Sequence, residues 1–206
     1  MRNWFLYAFF GLIGTLLCFG AVAVSALRVY EVPTNAMEPS LRAGDRLLDI
    51  RFFGSRGVKR GQIVAFYVPY QEGEIAIRRV LGLPGDRIQV RAGRLVLNGT
   101  PIYEPYVRNP QGAPDFPSAW DASVDEGEIR RLRNVMYGEW VRNDMLTVPE
   151  GQYFVLADNR GDSFDSRNYG PVPQGNVLGK PLCVFETTAA NSSRRVIASY
   201  FIGAQP

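Results

Sequence analysis

The chain has 206 residues, 46% hydrophobic and 21% charged, with a formal net charge of +3 and no histidine. That is enough for one globular core with an appendage or insertion, and the small charge, with no dense basic run interleaved with aromatics, speaks against a nucleic-acid partner. The missing histidines exclude Ser-His and Cys-His mechanisms and His-ligated metals, while the separation of Cys18 and Cys183 argues against a disulfide or zinc knuckle; no cofactor and no metal is expected.

Residues 4–27 carry no charge over 24 residues, more than the roughly 20 needed to cross a bilayer as a helix. Arg2 and Arg28 bracket them, and Trp4 and Tyr7 suit an interface. Val24-Ser25-Ala26 resembles a cleavage site, but the apolar run exceeds the roughly 7–15 residues usual in a signal peptide. The expectation is one N-terminal transmembrane helix. Residues 1–30 then form a single-pass plasma-membrane anchor with the bulk of the chain on the extracytoplasmic side.

From residue 45 onward the pattern is β. Residues 47–53, 62–68 and 75–83 are rich in β-branched and aromatic residues. Leu83-Pro84-Gly85-Asp86 makes a turn. Residues 87–90 and 95–97 read as a hairpin about Ala92-Gly93, followed by an Asn98-Gly99 turn. Residues 109–117 look like a loop, and 121–135 a short helix with Ser123 and Glu126 at capping-box spacing. Residues 152–156 resume a strand, and 177–187 supply at least one more. Residues 196–202 are apolar but too short to span a membrane. The expected fold is mainly β, an antiparallel core of residues 31–100 and 150–187. A cap, 101–149, is inserted in it, and a tail, 188–206, follows.

Three stretches stand out. The first is Pro33-Thr34-Asn35-Ala36-Met37-Glu38-Pro39-Ser40-Leu41, held extended by its two prolines. The second is Ile77-Arg78-Arg79-Val80-Leu81-Gly82-Leu83-Pro84-Gly85-Asp86. The third runs from Ala157-Asp158-Asn159-Arg160 through Gly161-Asp162-Ser163-Phe164-Asp165-Ser166-Arg167 to Pro173. Taken alone, the third is a surface loop braced by Asx-turns and an Asp–Arg pair. Paired arginines on a strand are ordinarily one inward or edge-facing and one solvated.

In this order, behind an N-terminal anchor, the three resemble the motifs of the type I signal peptidases, serine endopeptidases that clip signal peptides from exported proteins. The resemblance runs to about Lys180. The family has its nucleophilic serine where Ala36 stands and its general-base lysine where Arg78 stands; Arg79 matches. The resemblance makes Thr34 an oxyanion donor together with the backbone N–H of residue 36, and Ser163 the hydroxyl that orients the lysine. Asp165 and Arg167 become a structural ion pair. Asn35 stands where glycine is usual.

A serine–lysine dyad works because burial lets the lysine lose its proton near neutral pH and the serine oxygen form an acyl-enzyme. Ala36 has no oxygen to attack with, and a guanidinium keeps its proton in proteins. Neither Ser40 nor Lys180 is expected to replace the pair, and Lys59 reads as solvated. The scaffold implies a cleft that pairs with an extended substrate strand, with signal-peptide-bearing preproteins and the bilayer as partners. Three readings follow: a signal peptidase lineage protein silenced by two substitutions; a natural non-catalytic relative that binds signal peptides or a membrane protein, beside an active paralogue; or an anchored β protein with no peptide ligand.

Overall fold

The computed structural model describes residues 4–25, 27–50, 57–69, 71–108, 115–116, 140–161, 164–186 and 195–196. A helix, α1, runs over Trp4–Ser25. Strands follow in the order β1 (Leu27–Glu31), β2 (Arg46–Ile50), β3 (Ile63–Tyr67), β4 (Ile75–Gly82), β5 (Arg87–Arg91), β6 (Arg94–Leu97) and β7 (Thr100–Pro101). Then come β8 (Val141–Arg142), β9 (Met145–Thr147), β10 (Gln152–Leu156), a one-turn helix α2 (Ser166–Tyr169), β11 (Val172–Pro173), β12 (Val177–Gly179), β13 (Cys183–Glu186) and β14 (Arg195–Val196). The described strands form three sheets, ordered β1-β2-β13-β14, β11-β10-β4-β3-β12 and β7-β6-β5-β9-β8, and every pairing among them is antiparallel.

The 22 residues of α1 would extend about 33 Å, and Phe9, Phe10, Leu16 and Leu17 are exposed along it. Counted over the described residues alone, no helix is long and apolar enough to cross a membrane. The sequence from Trp4 to Ser25 is uncharged throughout. Residues 27–30, expected to belong to the anchor, lie in β1. Leu27-Arg28-Val29-Tyr30-Glu31 alternates with period two and pairs with β2, Tyr30 opposite Leu47.

Strand β4 is the hub. Ala76 and Val80 pack with Val64, Phe66, Val155 and Tyr169. Ile77 packs with Met37, Leu41, Leu47 and Ile63, and Leu81 with Ile88, Leu95 and Phe154. Burial on both faces explains why apolar residues fill consecutive positions on either side of Arg78-Arg79. Gly82 is required here, because an added Cβ would lie 2.8 Å from Phe154 Cβ and 2.9 Å from Val148 Cγ2.

The hairpin forms about Ala92-Gly93, and Asn98 and Gly99 both adopt positive φ at the next turn. The strand expected at 177–187 divides into β12 and β13, which join different sheets. The ends of the region expected to be a cap are strands: β7, β8 and β9 complete the third sheet with β5 and β6. The helix expected at 121–135 and most of the 109–117 loop lie outside the described residues, as does most of the tail.

Candidate active site

Thr34 ends the extended approach from β1 and caps a single 3-10 turn, Asn35–Met37. Its Oγ1 accepts the Ala36 N–H at a long 3.4 Å. Asn35 accepts the Ala43 N–H through Oδ1 at 3.0 Å, so this side chain, bulkier than glycine, braces the far side of the loop. Met37 is driven into the core beside Ile77 of β4. The turn therefore packs directly on β4, the strand that carries Arg78 and Arg79. The Asn159 N–H donates to the Ala36 carbonyl at 2.9 Å. The first and third motifs thus meet at residue 36, and the second underlies them.

The two arginines of β4 have different environments. Arg78 is half-buried. Its Nε and Nη2 donate to the Phe164 carbonyl at 3.1 and 2.8 Å, and its Nη1 to the Ile77 carbonyl at 2.7 Å. Arg79 is fully buried. It donates to Asp158 through Nε at 2.9 Å and Nη2 at 2.6 Å, and to the Gly61 carbonyl through Nη1 at 2.8 Å. Ser40 Oγ donates to Asp158 at 2.6 Å and accepts from Arg79 Nη2 at 3.0 Å. The Tyr106 ring covers the Arg79 guanidinium at 4.0 Å. Two full charges in a fully buried pair are tolerable only with this degree of satisfaction. Ser40 thus joins the Arg79–Asp158 ion pair.

The third motif is stapled in two further places. Arg167 grips Asp165 bidentately, Nε to Oδ1 at 2.9 Å and Nη2 to Oδ2 at 2.8 Å. Asp165 also caps α2 and accepts the Ala157 N–H at 3.0 Å. Burial alone would raise the Asp165 pKa, but the Arg167 guanidinium and these amides hold it below the usual carboxylate value. Arg160, buried, is bound by Glu104 at 2.5 Å and donates to the carbonyls of Ala157 and Gly93. Through Glu104 the stretch after β7 is tied to the third motif, and the Tyr106 hydroxyl donates to the same carboxylate at 3.0 Å. Burial pushes the Tyr106 phenol well above its ordinary range, so it stays a donor. Arg108 completes the tie. Its N–H donates to the Asp158 carbonyl, its carbonyl accepts from Arg160, and its guanidinium pairs with Glu38 at 2.6 Å.

Of the residues expected at the site, Thr34, Ala36 and Arg78 stand around the packed turn and strand, and Asp165 with Arg167 brace the third motif. Ser163 lies outside the described residues. Lys59 is exposed; Lys180 follows β12, its amide donating to Asp49 at 2.9 Å. Sequence reasoning gave no role to Asp158, Arg160, Glu104 or Tyr106. The first two were visible inside the third motif. The other two sit in the region expected to be a cap, where nothing in the local pattern points back to the core.

A family model described as signal peptidase, peptidase S26, matches residues 1–185. Signal peptidase I V of Bacillus subtilis (strain 168) is 29% identical over 187 residues, 86% of this chain and 95% of that protein. Signal peptidase I of Leptolyngbya laminosa is 30% identical over 162 residues, 75% of this chain and 66% of that one. A crystal structure of a signal peptidase I from Enterococcus faecalis V583 is 32% identical, covers 61% of this chain and 97% of its own, and superposes with a TM-score of 0.43.

Proposed function

Since the chain belongs to the signal peptidase family, peptidase S26, we propose that it is a membrane-anchored signal-peptide-binding member that does not cut. The carrying observation is the Arg78 guanidinium. It stands at the base position and is clamped to the Phe164 and Ile77 carbonyls. A permanent cation cannot take a proton from a nucleophile, and Ala36 supplies no nucleophile. Everything around them is built to hold a backbone in place: the Thr34-capped turn, the buried Arg79–Asp158 pair and the Asp165–Arg167 brace.

The uncharged helix α1 supports anchoring, with the β core beside the bilayer. The partners are signal-peptide-bearing preproteins, recognised by an extended segment laid against β4. Ala36 and Arg78 occupy the reacting positions, and Thr34, Ser163, Asp165 and Arg167 the supporting ones.

The test uses the full chain in detergent and one purified preprotein. The expected result is a stable complex recovered by size-exclusion chromatography, with the preprotein uncut after many hours. A mature-length fragment with the right new amino terminus would refute the silence, and failure to form any complex would refute the binding.

A further inference from the structure

The open edge of β4 has a particular end. On one side β3 pairs with β4 from Ile75 to Arg79. On the other, among the described residues, β10 pairs only with Arg79, Val80 and Gly82. Among the described residues, Ile75 to Arg78 have no strand partner there. Val80 donates to Gln62 on the β3 side, so the alternation of an antiparallel ladder turns the Ile77 carbonyl toward the open side. That carbonyl is taken by Arg78 Nη1. Strand addition along this edge therefore runs into the Arg78 guanidinium at the level of the Ala36 turn.

A guanidinium has five N–H donors. Three are committed to the Phe164 and Ile77 carbonyls, which leaves two, one on each Nη, among the described contacts. The clamp fixes the plane of the group while these two stay available. Lysine at this position would present a rotatable point charge; arginine presents a held, forked one, the geometry that suits a carboxylate. At residue 36, on the turn that packs against β4, a methyl stands where the family's serine carries a hydroxymethyl, so no side-chain oxygen lone pairs are presented there. Both substitutions suit an anion and neither suits acyl transfer.

We infer that the open edge of β4 and the Arg78 guanidinium form a receptor for an extended peptide ending in a free C-terminal carboxylate. The ligand is then the released form of a signal peptide, in preference to the uncut preprotein. This rests on the peptide-binding reading above and narrows its ligand class. No bond is made or broken; the recognition is a charge-assisted hydrogen-bond pair at the chain end of an added strand.

Two fluorescein-labelled synthetic peptides decide it, identical extended sequences ending in Ala-Ser-Ala, one with a free acid and one with a C-terminal amide. Binding to the full chain in detergent is followed by fluorescence anisotropy. The acid is expected to bind at least about tenfold more tightly, a difference of about 1.4 kcal/mol, and to weaken with added salt while the amide does not. Arg78→Gln should abolish the difference and Arg78→Lys keep part of it. Equal affinities would overturn the inference and leave peptide binding standing. Binding of neither peptide would overturn both. A preference that survives Arg78→Gln would place the carboxylate elsewhere and overturn the inference too. If Arg78→Gln does not fold, the acid–amide comparison on the unaltered chain still decides.

Discussion

Arg78 and Arg79 are neighbours on one strand, yet they belong to two different regions of the molecule. Arg79 sits in a closed network with Asp158, Ser40, the Gly61 carbonyl and the Tyr106 ring. Its partners were set by burial, and any change there unsatisfies a buried charge. Arg78 sits at an edge, half-buried, with backbone carbonyls as partners. Nothing in packing demands an arginine there. The contrast separates residues governed by burial energetics, which hold the loops, from Arg78, whose partners among the described residues are backbone carbonyls.

Four changes break or sharpen that separation, the largest expected effect first. Restoring one reacting position should achieve little: Ala36→Ser alone and Arg78→Lys alone should each leave preprotein cleavage at background. The double change should exceed either by about 10²–10⁴-fold, the usual range for general-base help. A single change that matched the double one would show that the two positions do not act as a unit.

On the scaffold side, Asp158→Ala leaves Arg79 buried without its carboxylate. The fold should lose about 3–5 kcal/mol, read as a lower denaturant midpoint for the core. A loss under about 1 kcal/mol would mean that Ser40, Gly61 and Tyr106 suffice to hold the guanidinium.

Gly82→Ala should cost about 1–3 kcal/mol by overpacking against Phe154 and Val148. The same denaturation experiment reads it, and an unchanged midpoint would show that β10 moves away freely. At the small end, Glu38→Gln breaks an ion pair whose Arg108 side chain is 54% exposed. Its effect should fall within about 0–1 kcal/mol and shrink with salt.

Acid probes the same contrast. Asp165 has its folded pKa depressed below the ordinary 3.8 by Arg167 and two amides, against the opposing effect of burial. The stability it contributes is therefore present above that ordinary value and is lost as pH falls through the folded one. Denaturant midpoints should fall below about pH 4, and Asp165→Asn should show a flatter decline. An equally steep decline in the variant would assign the acid sensitivity to other carboxylates.

Much of this was legible in the chain because local rules and tertiary demands agree. The hairpin at Ala92-Gly93, the Asn98-Gly99 turn and the strand at residues 152–156 all carry turn chemistry or alternation that burial then reinforces. Strand β1 was missed because Leu27 continues an apolar run, and only its alternation with Arg28 and Tyr30 marks the change. The helix α2 was hidden inside a turn-rich motif, its signal being the Asp165-to-Asn168 capping spacing. Thr34, Ala36 and Arg78 were singled out from motif order, and the structure places them on a turn and the strand it packs against. The Glu104–Arg160 and Arg79–Tyr106 contacts could not be, because they join residues 56 and 27 positions apart and depend on where the stretch after β7 folds back.

Two side chains are proposed to silence an otherwise intact peptidase scaffold. The direct measurement is a quantitative time course of preprotein cleavage in detergent by this chain and by the Ala36→Ser/Arg78→Lys double variant at equal concentration. No product is expected from the chain as it stands, and correctly placed cleavage is expected from the double variant. Cleavage by the unaltered chain would contradict this proposal and turn attention to Ser40 and Lys180. Silence in both would also contradict it, by showing that the cleft itself has lost the geometry of the family.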